Sequence, residues 1–183
     1  GYGGSCFPKD VKAIINTAID AGVDPVLLES VENRNQIQKK RMFEKIYLNF
    51  KNELKGKIIT IWGLSFKPET DDMRESPSID LINAIIKKGG IIHAFDPIAN
   101  IEAQKQFPAE WIKEKKIIFF NDSYQALEKS NALVLMTEWK MFRNIEIDKM
   151  KKIMREYNIF DGRNQYDPAF MRKNGFIYEG IGR

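Results

Sequence analysis

The sequence predicts an α/β fold, because short apolar runs alternate with helical segments from about residue 57 to the end. Such alternation is typical of a parallel sheet that helices cover on both faces. Before it, a helical pattern of about 30 residues extends over 25–55. We therefore predict a long connecting helix followed by a Rossmann-like, doubly wound parallel sheet. The expected domains are a helical segment over 1–56 and the sheet over 57–183.

Each element follows from a local pattern of apolar spacing, caps and helix stops. Helices are expected over 9–22, 25–55, 77–88, 98–106, 123–129, 146–156 and 167–173. Strands are expected at 58–62, 91–95, 117–120, 132–136, 159–160 and 176–178. Asp24 and Pro25 suit the start of the second helix, and Gly22 and Gly56 suit the ends of the first two.

The second helix carries an apolar stripe in its later half. The stripe consists of Phe43, Ile46, Tyr47, Phe50 and Leu54, which are spaced to share one helix face. A helix of ~30 residues is ~45 Å long, which exceeds the width of a small domain. We therefore expect it to bridge two bodies or to pair with a second copy, so that helix 25–55 forms a homodimer interface.

Composition excludes several classes of protein. The chain is 43% apolar and 30% charged, as is usual for a soluble globular protein with a full core. Its net charge of +4 arises from Lys and Arg mixed with Asp and Glu, which favours a solvated surface over nucleic-acid binding. No apolar run is long enough to span a membrane. A single cysteine rules out an internal disulfide and favours the cytoplasm, and no ligand spacing suggests a metal site.

The single cysteine, Cys6, lies in a glycine-rich segment, Gly1-Tyr2-Gly3-Gly4-Ser5-Cys6-Phe7-Pro8-Lys9-Asp10. A lone cysteine is more often a small buried apolar residue, but here two glycines allow close approach to a ligand. The following helix N-terminus and Lys9 would stabilise a thiolate. Asp10 is either the N-cap of helix 9–22 or a group that positions water. Because no long element precedes Cys6, we expect the chain to begin within a larger architecture.

Two further segments follow predicted strands, where open α/β folds bind ligands. The first is Gly63-Leu64-Ser65-Phe66-Lys67-Pro68 with Asp71-Asp72-Met73-Arg74-Glu75-Ser76-Pro77, and the second is Asp161-Gly162-Arg163-Asn164. Phe66 and Lys67 could stack a base and hold a phosphate. Arg163 could bind a phosphate or sugar oxygen. The alternatives are core packing for Phe66, surface charge for Lys67 and Arg74, and an ion pair between Arg163 and Asp161.

Two other polar residues have a structural interpretation. His93 lies within an apolar strand, which favours packing over catalysis. Asp96 follows that strand, where an acidic residue can bind ribose. The Asp96-Pro97 pair is also a common turn, and we favour the turn.

The three segments together resemble the UDP-glucose/GDP-mannose dehydrogenase family, and Phe7 after the cysteine favours its UDP-glucose branch. The resemblance implies NAD-dependent oxidation of UDP-glucose to UDP-glucuronate in two steps, through a thiohemiacetal and a thioester on Cys6. It implies a catalytic role for Asp10 and cofactor contacts at Lys9 and Arg74. It assigns substrate binding to Gly3, Phe66, Lys67 and Arg163, and it implies a homodimer.

The first strand of the sheet lacks the Gly-x-Gly-x-x-Gly fingerprint of dinucleotide binding. This agrees with the family resemblance, which places the main NAD site in an N-terminal domain that these residues do not include. We therefore expect the 183 residues alone to be inactive. A stand-alone nucleotide-sugar-binding and dimerisation module without turnover is the alternative. A second alternative is that the chain is the same part of a GDP-mannose or UDP-N-acetylmannosamine dehydrogenase.

Overall fold

The computed structural model describes residues 1–182, and Arg183, the last residue of the predicted domain 57–183, lies outside the described residues. Two helices come first, α1 (Phe7–Asp20) and α2 (Val26–Asn49). The strands are β1 (Ile58–Trp62), β2 (Ile91–Phe95), β3 (Ile117–Phe119), β4 (Ala132–Leu135), β5 (Asn158–Asp161) and β6 (Ile177–Gly180). The connecting helices are α3 (Pro77–Lys87), α4 (Asn100–Gln104), α5 (Ala109–Lys113), α6 (Ser123–Leu127), α7 (Ile147–Ile153) and α8 (Pro168–Lys173).

The strands form one sheet in the order β3-β2-β1-β4-β5-β6, and every neighbouring pair is parallel. The predicted α/β fold with a Rossmann-like sheet is therefore confirmed. The strand order reverses at β1, where Ile59 pairs with Ile92 on one side and with Ala132 on the other. In open α/β sheets, the carboxyl ends of the strands at such a reversal form the usual ligand crevice.

Side chains that alternate along the strands fill two apolar layers. Ile59 and Ile61 belong to the layer that the later half of α2 and the whole of α3 cover. Trp62 and Leu133 belong to the opposite layer, which α6, α7 and α8 cover. The sheet is buried on both faces, which explains why its strands are continuous apolar runs.

The long helix is shorter than predicted. It ends at Asn49 rather than Lys55, because Lys51 and Asn52 adopt left-handed backbone angles that end a helix, and Gly56 lies in the turn before β1. Its 24 residues span ~36 Å. The predicted C-cap at Gly56 is therefore wrong, as is the predicted N-cap at Asp24, since Pro25 occupies that position.

The apolar stripe of α2 faces the chain's own core. Ile46, Phe50 and Leu54 are buried in the sheet's apolar layer, and Phe43 and Tyr47 pack against it. The inference of a partner from this stripe is wrong, and the homodimer stays a prediction. The exposed apolar side chains of α2 lie mostly in its first half: Val26, Leu27, Val31 and Ile37.

Short elements account for the remaining differences. Helix α5 and the 3₁₀ turn Lys140–Phe142 were not predicted, because so few residues show no helical period. Helix α1 begins at Phe7, so Cys6 is its N-cap and Asp10 lies within its first turn. The predicted N-cap role of Asp10 is therefore wrong. Within residues 1–182, no helix combines the length and the apolar character needed to cross a membrane.

Candidate active site at the cysteine turn

The segment before Cys6 is tied to α2 by hydrogen bonds. The backbone N–H of Tyr2 donates to Asn35 Oδ1 at 2.7 Å, and Asn35 Nδ2 donates to the carbonyl oxygen of Tyr2 at 3.2 Å. The Tyr2 hydroxyl donates to Glu32 Oε2 at 2.6 Å. Desolvation and this hydrogen bond raise the pKa of Tyr2 to about 12. Tyr2 therefore acts as a neutral anchor for the turn at ordinary pH.

Cys6 is exposed at the start of α1. Its carbonyl oxygen accepts the backbone N–H of Asp10 at 2.9 Å, and its sulfur lies 3.6 Å from the hydroxyl of Ser5. Lys9 and Asp10 are exposed, and their charged atoms lie 3.8 Å apart. The thiol thus has open access and lies at the positive end of a 14-residue helix, which favours an anion.

The two glycines before Cys6 pack against the loop that follows β1. The backbone N–H of Gly4 donates to the carbonyl oxygen of Arg74 at 3.0 Å. Gly4 has a φ of +89°, and a Cβ there would lie 2.7 Å from the ring of Phe66. A Cβ at Gly3 would lie 2.4 Å from the carbonyl oxygen of Glu75. Only glycine fits at these positions, so the predicted turn requires both residues.

Phe66, Lys67 and Arg163 lie together beside this turn. The ammonium of Lys67 is 5.3 Å from the centre of the Phe66 ring. A terminal nitrogen of Arg163 donates to the carbonyl oxygen of Phe66 at 3.3 Å, and its Nε donates to that of Met136 at 2.6 Å. Arg163 therefore joins the loops after β1 and β4, at the point where the strand order reverses.

The guanidinium of Arg163 lies on Glu138 rather than on Asp161. Its Nε is 3.1 Å from Glu138 Oε2, whereas Asp161 accepts the backbone N–H of Arg163 at 3.0 Å. Asp161 also accepts from the backbone of Tyr166 and the hydroxyl of Tyr178. The alternative of an Arg163–Asp161 ion pair is wrong. The side chain of Arg163 remains 26% exposed, so it can meet a ligand.

Arg74 also lies beside the cysteine turn, where its carbonyl oxygen accepts the backbone N–H of Gly4. Its guanidinium makes two hydrogen bonds to Asp72, at 2.9 and 2.8 Å, and its side chain is 70% exposed. The hydrogen bond to Asp72 raises the pKa of Arg74. An open cleft of about 630 Å³ lies between the turn and the Arg74 loop, and Ser5, Lys9, Lys12, Asn16, Arg74 and Glu75 line it.

Asp96 and His93 have structural roles, as the sequence favoured. Asp96 is 1% exposed and accepts hydrogen bonds from the backbone of Leu64 at 2.8 Å, that of Ala99 at 2.8 Å and the Trp139 indole at 3.2 Å. Its carboxylate therefore fixes the loop after β1 instead of facing a ribose. His93 Nδ1 lies 2.9 Å from the carbonyl oxygen of Ala126, and burial lowers the pKa of its imidazole.

At the strand reversal, Gly63 at the end of β1 packs closely against the loop that follows β4. A Cβ at Gly63 would lie 2.5 Å from Thr137, and the Thr137 hydroxyl donates to the carbonyl oxygen of Ser65 at 2.6 Å. Gly63 is therefore required by the close packing of the loops after β1 and β4. Lys9 and Arg74, by contrast, line the open cleft, where their charges suit an anionic group. Residues 1–182 hold no group of three or more His, Cys, Asp or Glu side chains arranged to bind a metal.

Comparison with known proteins decides the family. Residues 60–168 match the UDP binding domain of the UDP-glucose/GDP-mannose dehydrogenase family, and residues 1–37 match its central domain. The chain belongs to this family. Residues 60–168, which hold most of the sheet, correspond to the domain described as UDP binding.

Individual members of the family resemble the whole chain. A UDP-glucose 6-dehydrogenase of Pseudomonas aeruginosa is 45% identical over all 183 residues. A UDP-glucose dehydrogenase structure from Pyrobaculum islandicum superposes with a TM-score of 0.80 at 25% identity over 99% of the chain. A ternary complex of GDP-mannose dehydrogenase from Pseudomonas aeruginosa gives 0.72 at 29% identity over 100% of the chain. The chain spans about 40% of the length of each of these relatives.

One cluster of charged residues beside the cysteine turn was not predicted from the sequence. The carboxylate of Glu75 lies 3.0 Å from the ammonium of Lys12 and 2.8 Å from that of Lys39. The side chain of Lys39 is only 3% exposed. The position of Lys39 could have been found from the sequence, because the spacing of Asn35, Lys39, Met42 and Ile46 places them on one face of a helix. In the structure all four side chains are buried. Two polar residues thus continue the apolar stripe toward the turn.

Proposed function

We propose that this chain supplies the nucleophile and the UDP-sugar site of an NAD-dependent UDP-glucose 6-dehydrogenase. One observation carries the proposal. The turn before the exposed Cys6 packs on the ring of Phe66, and Arg163 binds the carbonyl oxygen of that same residue. A nucleotide sugar that contacts Phe66 would therefore lie beside the cysteine turn. The 45% identity to a UDP-glucose 6-dehydrogenase supports this choice of substrate.

Each residue has a role that its position allows. Phe66 contacts the nucleotide, Lys67 and Arg163 hold the diphosphate, and the backbone of Gly3 contacts the sugar. The proposal keeps the predicted division into domains, with the turn and helices in 1–56 and the UDP site in 57–183. Lys9 and Arg74 bind cofactor phosphate at the cleft beside the turn.

The thiolate of Cys6 adds to the carbonyl carbon of the aldehyde formed in the first oxidation, which gives a thiohemiacetal. Loss of a hydride from that carbon and of the hydroxyl proton leaves a thioester. Water, oriented by Asp10, attacks the thioester carbonyl, and the C–S bond breaks to release the carboxylate and the free thiol. NAD, when bound, supplies the oxidant for both oxidations.

We place the main NAD site outside these 183 residues, because the loop after β1 lacks the Gly-x-Gly-x-x-Gly fingerprint of dinucleotide binding. We expect the purified chain to form no NADH from UDP-glucose and NAD⁺, and steady formation of NADH would contradict this placement. The proposal includes a reducing, cytoplasmic setting, since the thiol must remain reduced to act. It also includes self-association through the long helix.

Calorimetric titration with UDP tests the nucleotide site. The Lys67→Ala/Arg163→Ala variant should bind UDP at least about tenfold more weakly, because it loses charge-assisted hydrogen bonds to phosphate. A control variant, Lys113→Ala/Arg155→Ala, removes two exposed charges that lie shortly before the amino ends of β3 and β5. This variant should bind UDP as tightly as the unmodified chain.

Equal affinity of both variants for UDP would refute the site. The same titration with GDP distinguishes the branches of the family. Tighter binding of GDP than of UDP would favour a GDP-mannose dehydrogenase. Tight UDP binding without NADH formation agrees with both the proposed fragment and the stand-alone binding module. Addition of the rest of the enzyme separates these two, because only the fragment would gain turnover.

A further inference from the structure

The loop after β1 reaches the cysteine turn through two successive residues. The carbonyl oxygen of Arg74 accepts the backbone N–H of Gly4, and the carbonyl oxygen of Glu75 lies 2.4 Å from the position that a Cβ on Gly3 would take. These contacts join backbone to backbone. The separation between the turn and the Arg74 loop therefore depends on how the backbone at 74–75 is held.

Glu75 holds that backbone in an unusual conformation. Its φ is +53°, in the left-handed region of backbone conformation that residues other than glycine rarely adopt. A glutamate there is disfavoured unless its side chain makes compensating contacts. The carboxylate makes two such contacts, one with Lys12 of α1 and one with Lys39 of α2.

The contact between Glu75 and Lys39 involves a buried charge. Its side chain is 3% exposed, and its ammonium lies 2.8 Å from Glu75 and 3.8 Å from Asp80 of α3. A buried ammonium needs an anionic partner, so it resists movement of the glutamate. Lys39 and Lys12 lower the pKa of Glu75, and Glu75 in turn raises that of Lys12. Three segments of the chain thus meet at one carboxylate.

We propose that Glu75 is a positioning residue, which fixes the cysteine turn against the Arg74 loop by binding Lys12 and Lys39 at once. It makes the spacing between Cys6 and Arg74 independent of any ligand. The catalytic meaning of that spacing rests on the proposed function, whereas the contacts themselves do not. A test that uses neither UDP nor turnover can therefore fail separately from the proposed function.

Amide hydrogen exchange in the purified chain supplies that test. In Glu75→Gln, protection of the Gly4 amide should fall at least tenfold, while that of Leu133 in β4 should change less than twofold. The control is Glu179→Gln, which breaks a 2.7 Å contact from Lys45 of α2 to β6 and should leave Gly4 unchanged. A nitroxide label on Cys6, the chain's only cysteine, should become more mobile in Glu75→Gln alone.

A second variant keeps the test decisive if Glu75→Gln does not fold, since it leaves a buried ammonium facing a neutral amide. Lys39→Met/Glu75→Gln removes both charges and should still lower Gly4 protection at least tenfold. Unchanged Gly4 protection in the double variant would overturn the proposal. A parallel loss of protection at Gly4 and Leu133 would also overturn it, because that result indicates a general contribution to stability. Partial recovery of Gly4 protection in Glu75→Asp, which retains the charge, would support it.

Discussion

The sheet and the cysteine turn are stabilised by different interactions. The sheet packs two layers of buried apolar side chains, and its central strands are covered on both faces. In α1, which follows the turn, only Pro8 and Val11 are buried. The turn is held instead by the Tyr2–Asn35 hydrogen bonds, the Gly4–Arg74 hydrogen bond and the ion pairs of Glu75.

This difference separates stability from positioning. Removal of apolar contacts in the sheet should unfold the chain as a whole. Loss of a polar contact at the turn should open that segment locally, because little apolar surface is exposed when it moves. The residues with proposed chemistry thus lie where small free energies determine geometry.

The largest effect is expected from Phe160→Ala in β5. The side chain is fully buried in the layer beneath α2 and α3, so the free energy of unfolding should fall by about 3–5 kcal/mol. Urea denaturation measures it. Phe170→Ala is the control, because that ring is 52% exposed and its loss should cost less than about 0.5 kcal/mol. Similar losses in the two variants would contradict the importance of the buried layers.

A smaller and more local effect is expected from Gly4→Ala. The substitution imposes a left-handed conformation on alanine, which costs roughly 1–2 kcal/mol, and its Cβ would collide with Phe66. UDP should bind more weakly, while β4 amides should keep their exchange protection.

Gly22→Ala is the matched control for Gly4→Ala. Gly22 also has a positive φ, but nothing lies within 4 Å of its added Cβ. This variant should therefore show the backbone cost without any change in UDP affinity. If both variants bound UDP as tightly as the unmodified chain, the contact between the turn and Phe66 would have no bearing on the nucleotide site.

The smallest expected effect is the change in stability as pH falls. The sheet should respond at a higher pH than the cysteine turn. Burial lowers the pKa of His93 below 6.5, although Glu128 opposes this shift. Since the unfolded chain then binds the proton more readily, stability should decline as pH falls below about 6.5. In His93→Gln this decline should be shallower between pH 6.5 and 5 in urea titrations. An identical slope would show that another group causes it.

The turn should respond at lower pH than the sheet. Lys39 and Lys12 lower the pKa of Glu75 below 4.5, so its stabilising contribution is present above that pH and is lost as pH falls through the lowered value. Asp80 and Glu32 are the nearby acidic groups, and protonation of either would alter the same cluster. Protection of the Gly4 amide should therefore persist at pH 5.5. Its loss there would contradict the ion pairs as its cause.

Much of the fold could be predicted, because a parallel strand that is buried on both faces has a continuous apolar sequence, as in Ile58–Trp62. The end of α2 could not, because the exposed residues Lys51 and Asn52 adopt left-handed angles although neither is glycine, the residue that usually marks such a helix end.

The grouping of the candidate site residues followed from strand ends and from the family's motifs. The Glu75 contacts did not, since three distant segments meet there and no local pattern encodes their meeting. Asp96 shows the same limit. Its position after a strand was evident, but only the structure supplies the backbone and indole donors around it.

One consequence of α2 concerns tolerance to insertion and deletion. Asn35, which binds Tyr2, and Ile46, which is buried under the sheet, lie on one face of the same rigid helix about 16 Å apart. Adding one residue between them would turn Asn35 by roughly 100° about the helix axis. The distance from the cysteine turn to the sheet is therefore fixed by the number of residues in this part of α2. Natural variation in length should occur between α1 and α2 and be absent from residues 35–46.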